Sequence, residues 1–339
     1  MQQLVSVISP SYNHQNYISE CISSVQQQLY TNWEMIIVDD GSTDKTLDIA
    51  NEYAKSDNRI RVYTQSNKGI LRLSETYNRA LKLARGNYTA ILECDDYWEP
   101  DKLMRQTALL HENPEIIVSW GQAWSISSDR KIVYNTYPDI KIRESVIYNN
   151  DPIGEILKML LFKDWIPALT IMVRKEALIK IGGFQQYAGM PTIDLPTLLQ
   201  LSLVGKFGFI PAVLGSWRNY AGQITKVFPA VLSERYFKLV SDFINANTGV
   251  LSLSVSEIKS VNDFHHRQLV IAYSRSGRYK LVHKQFREAR KDYLKSIVKY
   301  STVEPIWKLR SLIGLMFSFL HMDVERLSSF LGKKTYSVD

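Results

Sequence analysis

Over the first 120 residues, short apolar runs alternate with segments whose apolar residues recur every three or four positions. That rhythm commits the region to a largely parallel sheet flanked by helices, because parallel neighbours need a crossover between them. Leu4 to Ser9 is apolar and β-branched, and Ile18, Ile22, Val25 and Leu29 follow at helical spacing. Met35 to Val38 is a second strand, with Leu47, Ala50 and Ala54 on one face of the next helix, which starts at Thr43-Asp44. Ile60 to Tyr63 is a third strand, and Leu73 to Ala84 reads as a helix stopped by Gly86. The fourth strand runs through Tyr88 to Leu92, Pro100 opens a helix through Leu110, and Ile116-Ile117-Val118 is the fifth strand.

Two of these strands end in acid. Val38 runs into Asp39-Asp40-Gly41-Ser42, and Leu92 into Glu93-Cys94-Asp95-Asp96. Ligands of open parallel sheets bind beyond the carboxyl ends of the strands, so both groups are expected to face one crevice. Three carboxylates at one strand tip repel and raise each other's pKa unless a cation or a basic partner neutralises them. A hard divalent ion with oxygen ligands, holding a diphosphate as well, is a natural occupant. A solvated acidic turn is the plain alternative.

With 339 residues, the chain is expected to hold one large domain and an appendage. Its hydrophobic content of 45% and charged content of 22% are those of a soluble globular protein. Two cysteines, Cys21 and Cys94, form neither a disulfide framework nor a zinc pattern and suit a reducing cytosol. Met1 to Pro10 lacks a basic leader and reads as a first strand instead of a signal peptide. No apolar run approaches the roughly 20 residues of a membrane-spanning helix.

From residue 130 to 230 the pattern is mixed. Ala168 to Val173 reads as a strand, Gly182-Gly183-Phe184 follows, and a helix is expected from about Leu195 to Val204 with Asp194 at its start. Beyond 230 the strand signals fade, and Phe286 to Tyr300 and Leu309 to Leu331 read as amphipathic helices. Ala272 to Tyr279, with Ala289 and Tyr293, suggests a helical hairpin of the repeat type. The net charge of +7 resides in this tail: residues 230–339 hold 18 basic and 10 acidic side chains, against 23 and 24 in the remainder. Such a tail is either a solvated helical surface or a partner of an anionic membrane face. No basic-aromatic motif accompanies it, so nucleic acid is not expected as a partner.

The motifs together resemble the inverting glycosyltransferases of family 2, which have the GT-A fold. Pro10-Ser11-Tyr12-Asn13-His14 is similar to the family's P-x-Y-N, and Val38 to Asp44 matches V-D-D-G-S-T-D at every position. Asn67-Lys68-Gly69 resembles the N-x-G loop, and Arg85 to Tyr88 the G-x-Y before the fourth strand. Leu92 to Trp98, with Lys102, Leu103 and Gln106, is similar to the branch reading L-E-x-D-D-Y-W…K-L-x-x-Q. The likeness covers roughly residues 4 to 225 and leaves the tail aside. It implies a GT-A glycosyltransferase domain over residues 1–228, with a nucleotide-sugar-binding half (1–120) and an acceptor and base half (121–228). A basic, mostly helical region, 229–339, follows.

The resemblance also implies roles. Tyr12 and Asp39 would contact the nucleotide base, with Pro10 beside them and Asp40 as a structural or ribose-side neighbour; a core tyrosine and a capping aspartate are the alternatives. Asp44 would cap the following helix. Asn67, Gly69 and Arg72 would lie near the donor, Arg72 either by the phosphates or simply exposed. Asp95 and Asp96 would bind Mg²⁺ or Mn²⁺ and, through it, the donor diphosphate, with Asp96 as the direct ligand. Glu93 stands where Asp is usual, so its contact is either metal or ribose. The family's E-D motif falls on Ile193-Asp194, making Asp194 the base that takes the acceptor hydroxyl's proton; a helix cap is the alternative. Leu198 and Gln200 replace the Trp and Arg that follow. Trp217 to Gln223 resembles Y-R-x-H-x-x-Q, giving Arg218 a place at the diphosphate, with Tyr220 where His is usual.

The expected function is therefore metal-dependent, inverting transfer from a nucleotide-diphosphate sugar, UDP-sugar favoured, to a hydroxyl of a glycan or lipid-linked glycan. Its expected setting is bacterial cell-surface polysaccharide assembly, in the cytoplasm or peripherally on the inner membrane face. The other reading is a degenerate relative that binds nucleotide-sugars or partners without turnover. A nucleotidyltransferase would need a glycine-rich basic loop after the first strand, and a dehydrogenase a G-x-G-x-x-G; the chain has neither.

Overall fold

The computed structural model describes residues 3–127, 131–138, 148–219, 229–300 and 303–322. The chain divides into two compact units, residues 1–220 and 221–339. In the first, β1 (Val5–Ser11), β2 (Trp33–Asp39), β3 (Ile60–Thr64) and β4 (Tyr88–Ile91) pair in the order β3-β2-β1-β4, all parallel. Between them run α1 (Ile18–Gln26), α2 (Thr46–Ser56) and α3 (Leu73–Leu83). β1 and β2 are buried at every position, as strands covered on both faces must be. Their register sets Ser11 beside Asp39, so both strands deliver their tips to one edge.

Beyond β4 the sheet becomes mixed. After β5 (Tyr97–Trp98) and α4 (Lys102–Glu112) come the long β6 (Ile116–Ser127) and β7 (Ile132–Tyr137), which pairs with β6. The chain continues through α5 (Leu157–Leu160), β8 (Met172–Arg174), α6 (Lys175–Lys180), α7 (Asp194–Leu201) and β9 (Lys206–Asn219). Past β4 the order is β8-β6-β9-β5, with β8 antiparallel to both of its neighbours. α4 is knitted to this half by the buried Gln106, whose amide donates to the Ser119 and Thr170 carbonyls at 3.0 and 2.8 Å. The fully buried Lys102 donates to Gln106 and lies 4.0 Å over the Trp98 ring.

Several expectations need correction. Ala168–Thr170 is a 3₁₀ turn that begins after Pro167, and only Met172–Arg174 is strand. The helix at Asp194 ends at Leu201, where Ser202 turns its hydroxyl back onto the Leu199 carbonyl. Gly86 does not cap α3, which already ends at Leu83 as Ala84 becomes extended. A Cβ at Gly86 would stand 2.5 Å from the Leu4 carbonyl, so its role is close approach to β1. β9 went unread because its burial is irregular and Pro211 interrupts it near a register shift against β6.

The second unit contains α8 (Pro229–Ala246), α9 (Val255–Val282), α10 (Phe286–Val298) and α11 (Pro305–Phe319). A capping box joins Ser254 and Glu257 at the start of α9. The suggested hairpin is present as α9 and α10, and its contact is specific. Tyr293 of α10 lies so near Gly277 of α9 and Gly314 of α11 that a Cβ at either glycine would strike its ring. The expected helix from Leu309 to Leu331 stops at Phe319 among the described residues, and residues 323–331 lie outside them. Tyr220 and the expected boundary at 228 also lie outside them.

Candidate active site

The tips of β1 and β2 and the loop after β3 form one hydrogen-bonded wall. Asp39 is buried, and both its oxygens serve the turn that follows: Oδ2 accepts from the Ser42 N–H at 3.0 Å, and Oδ1 accepts from the Ser42 hydroxyl. Asp40 accepts from the backbone N–H groups of Lys68 and Gly69 and from the Gln65 side chain at 2.7–3.1 Å. The Asn67 side chain donates to the Asp40 carbonyl at 2.9 Å. Asp40 therefore ties the Asn67–Gly69 loop to β2. Gly41 has φ +73°, and a Cβ there would stand 2.9 Å from the Asn67 nitrogen, so only glycine lets the two loops meet. Asp44 accepts from the Thr46 N–H at 2.9 Å, a local cap two residues ahead of the start of α2. Pro10 is buried within β1, whereas Tyr12, just past it, is 46% exposed. Arg72 is also exposed, and its guanidinium is held by Glu75.

The tip of β4 carries the acidic cluster. One carboxylate oxygen each from Glu93, Asp95 and Asp96 lie within 4.8 Å of one another, an oxygen-only set that fits a hard divalent ion. Burial, and then the charges of Asp194 and Asp95, push the Glu93 carboxyl up to about 8. Asp96 is likewise pushed well above the carboxylate range by burial and by Asp95. Tyr77 of α3 donates its hydroxyl to Glu93 at 2.9 Å. His14 also borders the cluster. Burial alone would lower its imidazole, but Cys94 and the charges of Asp95 and Glu93 hold it up at about 9.

Arg218, near the end of β9, fixes this loop from behind. It is 2% exposed; its backbone N–H donates to Asp96 Oδ1 and its Nε to the Asp95 carbonyl, both at 2.8 Å. Its guanidinium also meets Glu20 of α1 at 2.7 Å and lies 4.6 Å from the Tyr17 ring centre. The residue expected at the diphosphate thus holds the carboxylate loop in place. Tyr17 and Glu20 carry no motif, and their link to Arg218 spans almost the whole unit.

Asp194 opens α7, near enough to Glu93 for the two charges to interact. The cap of that helix is Ile193, which makes no side-chain capping bond, and Asp194 Oδ1 is buried without a hydrogen-bond partner. Burial, and then the charge of Asp164, push the Asp194 carboxyl up to about 8. Asp164 is pushed up to about 7 by burial, despite the Ile166 N–H and Lys163, and its own Oδ1 lacks a partner. Asn78 of α3 positions α7's approach: its side chain accepts from the Phe184 N–H and donates to the Phe184 carbonyl, at 2.8 and 2.9 Å. Sequence reasoning missed Asp164, Tyr77 and His14. Only His14 had a signal, its place directly after P-x-Y-N.

Residues 6–178 match the model of glycosyl transferase family 2, just over half of the chain, so the chain belongs to that family. Over 110 residues it is 48% identical to Bacillus subtilis TuaG, named for teichuronic acid biosynthesis, covering 32% of this chain and 42% of that protein. Over 151 residues it is 37% identical to Escherichia coli WfgD, a UDP-Glc:α-D-GlcNAc-diphosphoundecaprenol β-1,3-glucosyltransferase, covering 44% and 57% of the two chains. The matches span less than half the length of the first three curated relatives. Staphylococcus aureus TarS 1-349 in complex with UDP-GlcNAc superposes with a TM-score of 0.58 at 20% identity, over 99% of this chain and 93% of that one. The fold is GT-A, a mostly parallel sheet flanked by helices and followed by C-terminal helices.

Proposed function

We propose that this protein transfers a sugar, with inversion, from a nucleotide-diphosphate sugar to a hydroxyl of a glycan or lipid-linked glycan during bacterial surface-polysaccharide assembly. A uridine donor is favoured. Family membership supports the class, the UDP-glucose named for WfgD and the UDP-GlcNAc complex of TarS support the donor, and the lipid-linked sugar named for WfgD supports the acceptor. Residues 1–228 are read as the transferase domain, in the branch with Glu93 ahead of Asp95-Asp96. Residues 229–339 are read as the part that meets the inner membrane face.

Tyr12 would stack on the base, and Asp39 would accept from its N–H with the lone pair that Ser42 leaves on Oδ1. Asp40, Asn67 and Gly69 would shape the ribose side. Asp95 and Asp96, with Glu93 beside them, would hold Mg²⁺ or Mn²⁺, as the Mn²⁺ complex of the mannosyltransferase PcManGT from Pyrobaculum calidifontis suggests for a like fold. Bound there, the ion would neutralise the departing diphosphate. Asp194 takes the proton of the acceptor hydroxyl. The freed oxygen then bonds to the anomeric carbon from the face opposite the diphosphate, whose bond to that carbon breaks and whose oxygen keeps the electron pair.

The observation that carries this reading is the buried, unpartnered Oδ1 of Asp194 beside the acidic cluster. Asp194→Asn should lower transfer on the order of 10²–10⁴-fold, the usual worth of a general base. Its donor-induced thermal shift in Mn²⁺ should persist. Undiminished transfer would refute the base. No nucleoside diphosphate release by the unmutated protein, across a donor and acceptor panel, would favour a binding protein; Glu93, Ile193 and Tyr220, each in place of the family's usual residue, are on that side.

A further inference from the structure

α11 turns a continuous apolar face outward, which is unusual for a helix in water. Its fully buried positions are Ser311, Gly314 and Ser318, and the larger Leu315 and Phe317 pack, partly buried, against the core of Leu281, Ala289 and Tyr293. The small inward residues let the helix lie close against Tyr293 of α10, and Ser311 donates to the Ser296 hydroxyl at 2.9 Å. Its outward face is Ile306, Leu309, Leu312, Ile313, Met316 and Phe319, with Leu320 just beyond; every one is exposed, Ile306 by 80%. At 100° per residue these positions fall within one arc of roughly 140° opposite the buried face. Among the described residues, no exposed position of this helix is polar or charged. Its two charges, Lys308 and Arg310, are half-buried, and Lys308 donates to the Ile297 and Lys299 carbonyls at the end of α10.

Contiguous apolar patches above a few hundred Å² are rare on soluble monomers and mark interaction surfaces. We propose that the outward face of α11 seats this protein in the surface of an anionic lipid bilayer. Charge selects the occupant. From Pro305 to Met322 the chain has no acidic residue; α10 adds exposed Arg287 and Lys291 against one exposed acid, Glu288, with Lys299 just past its end and Lys295 paired with Glu234 of α8. A second copy meeting this face would bring together two tails (residues 230–339) that each carry +8, whereas anionic headgroups complement them. At 15 residues α11 is too short to cross a bilayer, and no described helix is long and apolar enough to do so. The helix would lie in the interfacial plane, its hydrocarbon arc among the acyl chains and its basic neighbours at the phosphates. This deepens the reading of the C-terminal region given above, and its test is independent of catalysis.

The experiment is flotation of the full chain with phosphatidylcholine vesicles, with and without phosphatidylglycerol. The protein is expected to float with the anionic vesicles and to be partly released by salt. The triple variant Leu309→Glu, Leu312→Glu, Met316→Glu is expected to lose about tenfold or more in binding. Its melting temperature and its transfer to a soluble acceptor should be unchanged. Should that variant fail to fold, Met316→Cys carrying an environment-sensitive dye gives the same answer by a blue shift on anionic vesicles. Absent flotation, binding unchanged in the triple variant, or no blue shift overturns the proposal. So does a lipid-free dimer that the triple variant dissociates, which would assign the face to a second copy. Lipid binding without transfer would sink the transferase reading alone.

Discussion

The N-terminal unit buries charge, and the C-terminal unit exposes hydrocarbon. Around β4 and α7, Glu93, Asp96, Asp164 and Asp194 are held where burial opposes their ionisation. On α11, six large apolar side chains face outward while serine and glycine take the fully buried positions. Each arrangement is unfavourable for the isolated chain, and each becomes favourable on contact with something else: a cation and a polar ligand in one case, a low-dielectric surface in the other. Departures from ordinary burial are thus the most informative marks on this molecule, and their opposite signs separate the two contacts.

The comparison breaks if the buried charges are merely tolerated. Arg218→Met tests this hardest, because it removes the cation that Glu20 and the Asp95–Asp96 loop share. Breaking a buried pair from one side costs about 3 kcal/mol or more, and denaturant unfolding should show that loss. An unchanged unfolding midpoint would mean that the acidic loop holds itself. Gly314→Ala probes the other unit. The added methyl meets the buried Tyr293 ring, and overpacking of this kind costs about 1–3 kcal/mol. Thermal unfolding should show the C-terminal transition falling, with the donor-induced shift of the N-terminal unit kept.

A subtler change sharpens the electrostatic half. Asp194 must be ionised to act as base, so transfer should rise with pH through about 8. Asp164→Asn removes the like charge that helps hold it there, and should move that limb down by on the order of one pH unit. Both carboxyls are raised in the folded state, so their contribution to stability is present at low pH. It is lost between the ordinary carboxylate range and about 8, a loss the variant should lessen. A limb that stays put in a pH–rate profile would detach Asp164 from the base. The smallest effect belongs to Arg72→Ala. This exposed ion pair should leave the melting temperature unchanged, so any rise in donor KM would report a phosphate contact directly.

What the sequence disclosed follows from how far apart the cooperating residues stand. Val38 to Asp44 and Leu92 to Asp96 each hold a strand, its end and its carboxylates within a few positions, so fold and candidate site could be read together. The supports of the site could not. Glu20 meets Arg218 across 198 positions, and Asp164 acts on Asp194 across 30, with no spacing rule to pair them. α11 was ambiguous for another reason. Its apolar period is that of an ordinary core-facing helix, and periodicity does not say which face turns inward; the small residues opposite, suited to Tyr293, decide it.

The Asp40 carboxylate has a thermodynamic consequence for whatever settles over it. By gathering Gln65, Lys68 and Gly69, it completes the loop after β3 before any ligand arrives. A ligand meeting a finished wall loses its own freedom but imposes little new order on the protein. Calorimetry of nucleotide binding should therefore show only a modest entropic penalty. Replacing Asp40 by Ala should enlarge that penalty while leaving in place the side chains proposed above to touch the donor, Tyr12, Asp95 and Asp96.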